Sequence, residues 1–343
     1  MSFLSMTSQP LPRRLTTSLL GFTLVQVTSS VRSLPLSSTM RSTPASTTVV
    51  IVAESFDYEI IDKAYRPYNN LSLLVSLQSN GTIEKKVIAS ITESLKADKQ
   101  FGEDWARLVQ IFQAPSLQMV TFTITEKGYS FNDADLARGL DAVFAMGKLT
   151  ALLYERYKAG KLPLTLQSTD NCSHNGDHVK AGVKAYAERW AQDGIVEAGF
   201  VDYINDSSKI TYPWSMIDKI TPRPHEKVQA MLAEDVFEDN NTIITEKHTF
   251  TAPFVNAEEV QYLVCEDTYT NGRPPLELGG ALYTTRKTVD EVETMKVTTC
   301  LNPLHTAMSI YGCMLDYTLI SAEMADEDLR AFIQKIGYIE AMP

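Results

Sequence analysis

The stretch LQMVTFTITEKGYS, residues 117 to 130, decides the fold class, because an apolar β-rich run passes directly into a polar turn. The run has the length and the β-branched content of a buried strand. Gly128 then lets the chain turn where the strand ends. Open α/β sheets bind ligands beyond the carboxyl ends of their strands, so this stretch predicts one side of a pocket.

The segments on either side alternate between strand and helix patterns. Upstream, a β-branched run ends at Glu54, and two β-rich runs flank Asn80-Gly81, which is a strong hairpin signal. Downstream, residues 133–161 are predicted to be one helix and residues 162–169 the next strand. This alternation predicts an α/β fold with a Rossmann-like sheet.

The strand at 162–169 also ends in a polar turn, DNCSHNGDH, which begins with Asp170 and Asn171. Lys127 occupies a similar place after the first strand. Two such turns indicate a binding pocket at one edge of the sheet. The alternative for Asn171 is a simple turn residue, and for Lys127 an exposed loop lysine.

A domain boundary is predicted near residue 220, where prolines at 222 and 224 make a stiff connector. The predicted units are a low-complexity or targeting segment over residues 1–47, a Rossmann-like domain over residues 48–220, and a mostly α-helical domain over residues 221–343.

Charge and cysteine usage exclude several classes of protein. A net charge of -11 argues against nucleic-acid binding, and no run is apolar and long enough to span a bilayer. The four cysteines have no zinc-site spacing, which favours reduced thiols.

Residues 1 to 53 contain four arginines and no acidic residue, which is typical of a transit peptide. We therefore expect a cytoplasmic protein, or an organellar one if that segment directs import.

The stretch TTCLNPLHTAMSIYG, residues 298 to 312, sets Asn302 and His305 three positions apart. On a helix this spacing puts both side chains on one face, where an amide can donate to a developing alkoxide. An isolated pair of this kind is more often structural than catalytic.

Several motifs in one order resemble the polyol-specific long-chain dehydrogenases, which include mannitol 2-dehydrogenase and fructuronate reductase. The resemblance runs from about residue 50 to the end of the chain. The matching motifs are TITEKGY (123 to 129), STDNCSHNG (168 to 176), MIDKITPRP (216 to 224), FVNAEE with NGRPPLE (254 to 277), and CLNPLHTA (300 to 307).

This resemblance implies a hydride transfer between a secondary alcohol and a ketone, with NAD or NADP and without a metal. The expected substrate is a polyol or a sugar acid, and the expected assembly is a monomer or weak homo-oligomer. It further implies that Asn302 and His305 orient the reacting oxygen. Asn171, Asp218 and Lys127 are then expected to contact the substrate, and Asp170 is expected to lie at the cofactor. Asp218 otherwise reads as a solvated charge or a helix cap.

The catalytic lysine of the family lies five residues before the asparagine, but Val297 stands there and Lys296 is one position earlier. On a straight helix, Lys296 and His305 would lie on opposite faces. A bulge or a kink at Pro303 would bring Lys296 round. Alternatively, Asn302 caps a helix that starts at Pro303. Lys296 is the acid/base candidate in either case.

The resemblance also implies a first strand and a glycine-rich turn that cradle the cofactor diphosphate. Nothing before residue 48 is expected to supply this unit, and the family's last helices are expected to be missing. The acidic residue that binds the adenosine ribose is predicted to be Glu54 or Asp57, both of which read equally well as surface charges. An acid there favours NAD over NADP. The alternative function is a non-catalytic remnant or sugar-acid binding protein without a nucleotide site.

Overall fold

The structure is a computed structural model, and it describes residues 21–27, 48–78, 82–219, 221–235, 237–238 and 240–340. The strands are β1 (Gly21–Val27), β2 (Thr48–Glu54), β3 (Ser72–Leu77), β4 (Ile83–Ile88), β5 (Ile91–Lys96), β6 (Leu117–Phe122), β7 (Leu164–Ser168), β8 (Ile210–Thr211), β9 (Ser215–Asp218), β10 (Ile243–Ile244), β11 (Phe250–Thr251), β12 (Phe254–Glu258), β13 (Tyr262–Glu266) and β14 (Leu282–Thr284). The α-helices are α1 (Gly102–Gln113), α2 (Thr125–Gly128), α3 (Asp133–Leu136), α4 (Ala145–Lys158), α5 (Asn175–Gln192), α6 (Ala198–Asn205), α7 (Glu226–Glu234), α8 (Arg286–Glu293), α9 (Asn302–Met314), α10 (Ile320–Glu323) and α11 (Glu327–Lys335). π-Helical segments span Ile61–Tyr65, Thr294–Leu301 and Ile336–Glu340, and 3₁₀ turns span Arg66–Tyr68, Gly139–Asp141 and Leu276–Gly279.

The main sheet has six strands in the order β5-β2-β1-β6-β7-β8. This is the strand order of a doubly wound dinucleotide-binding sheet with the β3-β4 hairpin inserted. The pairs β2-β5, β6-β7 and β7-β8 are parallel. The predicted Rossmann-like fold is confirmed, and so is the predicted hairpin, because β3 and β4 pair antiparallel from Ser72↔Ile88 to Leu77↔Ile83.

The expectation that nothing before residue 48 supplies the family's first strand is wrong for the strand itself, because residues 21–27 form a central strand of the sheet. β1 lies between β2 and β6 and pairs antiparallel with both. Its first residue, Gly21, pairs with Glu54 at the end of β2, so β1 starts at the edge where β2 and β6 finish. Backbone groups on the inner edges of β2 and β6 need hydrogen-bond partners, and a strand of either direction supplies them.

The core lies between the main sheet and the helices α1, α4, α5 and α6. The Arg156 guanidinium is fully buried there and donates to five backbone carbonyls, those of Phe112, Ala114, Leu117, Leu162 and Pro163. These bonds join α4 to the ends of α1 and to the starts of β6 and β7. Burial lowers the pKa of Arg156 to about 10, which leaves the side chain charged at neutral pH.

The single helix predicted over residues 133–161 is wrong, because the chain forms α3, a 3₁₀ turn and α4 instead. Asn132 caps α3, and Gly139 adopts φ +61° in the break. The Asp135 carboxylate then accepts the backbone N–H groups of Val143 and Phe144, just before α4 begins. Local side-chain acceptors therefore outweigh helix propensity at this point.

Strands pair across the predicted boundary at residue 220, which itself remains a prediction. β12 adds to β3 in parallel, from Phe254↔Leu73 to Glu258↔Leu77. β9 pairs antiparallel with β13, which also pairs with β14. From Arg286 onward the chain is mostly helical. Val289 of α8 packs with Met216 and Val264, whereas α9 and α11 pack around a separate small cluster, formed by Ala307, Met308, Leu329 and Ile333. Among the residues described, no helix has the length and apolar character that crossing a bilayer requires.

Candidate functional site

The turn after β6 is held in shape by the carboxylate that follows β7. Asp170 Oδ2 accepts the backbone N–H of Ile124, and Oδ1 accepts that of Thr125, each at 2.9 Å. The Tyr129 hydroxyl also donates to Asp170, and Thr125 adopts φ +60° in this turn. Asp170 is buried, so its position shapes the TITEKGY turn directly. The predicted contact between Asp170 and a cofactor stays a prediction.

Asn175 joins the loop between β7 and α5, here called the carboxyl-edge loop, to β9. Its amide nitrogen donates to the Asp170 carbonyl and to the Ser215 hydroxyl, each at 3.0 Å, while its Oδ1 accepts the Ser215 N–H at 3.0 Å. The side chain is fully buried. Sequence reasoning singled out the neighbouring Asn171, which is exposed on the loop, and missed Asn175. A helix start that directly follows a polar turn was the available signal.

β9 ends at Asp218, and this residue meets the predicted acid/base lysine. Lys296 Nζ lies 2.6 Å from Asp218 Oδ2, and both side chains are about one-third exposed (34% and 30%). The ammonium also lies 5.4 Å from the Tyr262 ring centroid, on the strand paired with β9. Two residues 78 positions apart in the sequence therefore form one charged pair at the surface of the site.

Lys219, which sequence reasoning did not single out, directly follows Asp218 in the chain. Its ammonium donates to the Glu258 carbonyl at 2.6 Å. Burial lowers the pKa of Lys219, and the nearby Glu258 opposes that shift. The site region thus holds a second, half-buried cation next to Asp218.

The extra residue between Lys296 and Asn302 falls in a π-helical segment, Thr294–Leu301. A π-helix closes i→i+5 hydrogen bonds and so takes one more residue per turn than an α-helix. This is the predicted bulge. The alternative that Asn302 caps a new helix is wrong, because Asn302 has helical φ -62° and ψ -46° and the helix runs through it without a break.

The remaining predicted residues of the substrate and catalytic set are exposed. Asn302 and His305 lie in the first turns of α9, and Lys127 lies on the short helix α2. Within the described residues, no hydrogen bond or ion pair joins these side chains to Lys296, so their roles stay predictions.

The two predicted ribose-binding acids differ in how their oxygens are used. Glu54 Oε1 accepts the backbone N–H groups of Phe56 (2.8 Å) and Asp57 (3.1 Å), but Glu54 Oε2 is buried without a hydrogen-bond partner. Burial raises the pKa of Glu54 to about 8. Asp57 accepts the Thr245 hydroxyl at 2.6 Å and is just as buried. Glu54 is therefore the acid with an unused oxygen.

A dinucleotide fits this edge of the sheet only in part. The unpartnered Glu54 Oε2 is suited to a ribose hydroxyl at the end of β2. The diphosphate end is different, because the antiparallel β1 finishes at the opposite edge of the sheet. Within the described ranges, no glycine-rich turn connects β1 to a helix at the carboxyl edge.

The NGRPPLE motif lies away from the site. Asn271 donates to the carbonyls of Pro115 (2.9 Å) and Leu117 (2.7 Å), where β6 begins. In the same motif, the Arg273 guanidinium lies 3.6 Å from the Tyr283 ring centroid and pairs with the Glu277 carboxylate. This motif therefore fastens the later strands to the amino edge of the main sheet.

Comparison with known proteins gives consistent results. Residues 43–277 match the family described as the mannitol dehydrogenase Rossmann domain. D-mannonate oxidoreductase of Thermotoga maritima is 46% identical over 84% of this chain and 56% of its own length. Mannitol 2-dehydrogenase of Pyrenophora tritici-repentis is 30% identical over 82% of this chain and 48% of its own.

Solved structures support the same fold. Mannitol 2-dehydrogenase of Pseudomonas fluorescens, in a ternary complex with NAD and D-mannitol, superposes with a TM-score of 0.61 at 25% identity, over 80% of this chain and 53% of that one. A substrate-free D-sorbitol dehydrogenase superposes with a TM-score of 0.65 at 23% identity, over 79% and 54%. The chain spans about half the length of the curated relatives it matches. It belongs to the mannitol dehydrogenase family.

Proposed function

We propose that this chain is an NAD(P)-dependent oxidoreductase that interconverts a secondary alcohol and a ketone of a sugar acid, of the mannonate/fructuronate type. The observation that carries the proposal is the Lys296–Asp218 pair, in which a potential proton donor is held 2.6 Å from a carboxylate at the carboxyl side of a Rossmann-like domain. The 46% identity to a D-mannonate oxidoreductase supports a sugar acid over a neutral polyol.

In this proposal, Lys296 exchanges a proton with the reacting oxygen. Asp218 holds the ammonium in place. Asn302 and His305 orient that oxygen from the next helical turns. A nicotinamide cofactor would supply the hydride, and Glu54 would hold its ribose. The mannitol 2-dehydrogenase with bound NAD supports the nicotinamide cofactor.

NAD is proposed over NADP, because the unpartnered Glu54 Oε2 is suited to a free ribose hydroxyl and, once ionised, also repels a 2′-phosphate. Since the pKa of Glu54 is about 8 in the free chain, this repulsion strengthens as the pH rises through that value.

The expected location is the cytoplasm, and a fluorescent fusion of residues 1–47 tests the organellar alternative.

The direct test measures NADH oxidation by the purified chain with D-fructuronate, and with D-fructose for comparison. Turnover with D-fructuronate, at a higher kcat/KM than with D-fructose, supports the proposal. No turnover, together with no NAD or NADH binding by calorimetry, contradicts it.

The second candidate is a sugar-acid binding protein without redox activity. The antiparallel β1 favours it, since the described residues give the diphosphate no cradle at the carboxyl edge. Binding of D-mannonate by calorimetry in the absence of any cofactor binding would select this function.

A further inference from the structure

The segment that carries Lys296 has no anchor of its own. No side chain of Thr294–Leu301 is buried. Its orientation is therefore set by its neighbours in the chain and by the few polar contacts that reach it. The helix before it, α8, buries only Val289.

Polar contacts hold α8 at both ends and in its middle, first to β13 and Trp214 and then to the loop between β7 and α5. At its start, Arg286 pairs with Glu266 at 2.9 Å and lies 4.6 Å from the Trp214 ring centroid. In its middle, Asp290 Oδ1 lies 2.9 Å from His174 Nε2. At its end, Glu293 accepts the Ser173 hydroxyl.

His174 is held in place from three directions. Its ring stacks on Trp214, with centroids 4.0 Å apart and planes 15° apart. Its backbone is in the left-handed region, with φ +53° and ψ 40°, at the N-cap position of α5. A bulky residue in this conformation is uncommon and marks a place where the surroundings fix the backbone.

We infer that His174 and Asp290 form a clamp that positions Lys296 against Asp218, so that His174 is a positioning residue. The clamp connects the loop that carries Asp170 and Asn171 to the helix that leads without a break into the Lys296 segment. Loss of the clamp lets the π-helical segment open more often, while the sheet and its core stay intact. The effect on turnover rests on the proposed function, but the opening of the segment does not.

Cys300 lies in the π-helical segment, is half-buried, and provides a native probe of its opening. The experiment measures the alkylation rates of Cys300 and of the exposed Cys313 by iodoacetamide and mass spectrometry. The variants are His174→Asn, which tolerates the left-handed backbone, and Asp290→Ala. Glu291→Ala is the matched control, because it removes an exposed carboxylate from the same helix.

The expected result is an increase in Cys300 alkylation of about threefold to tenfold in both variants, with Cys313 and the Glu291→Ala control unchanged. The double variant should match His174→Asn, because Asp290 acts on the segment through His174. Equal Cys300 rates in His174→Asn, Asp290→Ala and the parent protein would overturn the inference.

A second readout separates the clamp from the proposed function. In an active enzyme, both variants should lower kcat and leave the KM for the nicotinamide cofactor unchanged, while His174→Gln, which can still reach Asp290, should recover part of kcat. If the parent chain shows no turnover, the proposed function fails and the alkylation rates still decide the clamp. Unchanged kcat in both variants of an active enzyme would refute the positioning role.

Discussion

The sheet domain and the C-terminal helices are packed to different degrees. The sheet domain buries long apolar side chains from β2, β6, β7 and four helices, and even its buried Arg156 has five carbonyl partners. The helices after residue 286 have one small buried cluster and leave large apolar side chains exposed, among them Met295, Leu301, Ile310, Met314, Leu315, Tyr338 and Ile339. The two halves of the candidate site come from these two different regions.

This difference shows that the core holds the Asp218 half of the candidate site more firmly than the Lys296 half. Asp218 ends a strand whose neighbours Met216 and Val264 are buried, so the core fixes its position. Lys296 lies on a segment without fully buried side chains, and its own contacts are the ion pair with Asp218 and the Tyr262 ring. Activity should therefore be more sensitive to surface contacts of α8 than the stability of the sheet domain is.

The largest expected effect is on turnover. Lys296→Met removes the proton donor and should lower kcat about a thousandfold. Lys287→Met is the control, because Lys287 is exposed on the adjoining helix and pairs only with its neighbour Glu291. The assay is NADH oxidation with D-fructuronate. A Lys296→Met enzyme with normal kcat would show that another group donates the proton.

Arg156→Met should destabilise the sheet domain by about 4 kcal/mol, because five buried carbonyls lose their donor. Arg189→Met removes an exposed i,i+4 pair and should cost less than about 0.5 kcal/mol. Urea unfolding measures both values. A loss for Arg156→Met as small as that of the control would contradict the structural role of this guanidinium.

Glu54 should make the sheet domain less stable as the pH rises. Its pKa is raised by burial to about 8, so the folded state holds the proton more tightly than the unfolded chain does. The resulting stabilisation is present at low pH and decreases between about pH 4.5 and 8, by about 3 kcal/mol between pH 5 and 8. Glu54→Gln should remove this dependence. Urea midpoints that change equally with pH in both proteins would contradict the assignment.

The C-terminal cluster should show the smallest effect. Ile333→Ala removes one of its four buried side chains and should cost about 2 kcal/mol, while Ile339→Ala, at an exposed position, should cost less than about 0.5 kcal/mol. Thermal unfolding followed at both near- and far-UV wavelengths measures the difference. Equal costs would mean that the helices are not packed around this cluster.

The sequence predicts those parts of the molecule that depend on local pattern. Period and length identify β6 and β7, and Asn80-Gly81 between two β-rich runs predicts the β3-β4 pair. The pairing of β12 with β3 was not predictable, because it joins residues about 180 positions apart. The reversed β1 was missed for a related reason, since its place depends on the unpaired edges of two distant strands.

The candidate site shows the same division between features that a local sequence pattern predicts and features that depend on distant contacts. Sequence spacing identifies Lys296 as one residue out of register, and only the three-dimensional structure shows that a π-helical segment takes up that residue. Asp170 and Asn171 were both predicted to face ligands, and the structure shows that Asp170 also holds the backbone of the neighbouring turn. Hydrogen-bond partners from other loops decide such roles, and no local pattern records them.

The most direct test of the account is whether Lys296 lies in the substrate site. Pyridoxal 5′-phosphate forms an imine with accessible lysines, and borohydride reduction followed by mass spectrometry gives the labelling rate at each position. In the presence of NAD, D-mannonate should slow the labelling of Lys296 and leave that of Lys287 unchanged. Labelling of Lys296 at the same rate with and without D-mannonate would contradict the account.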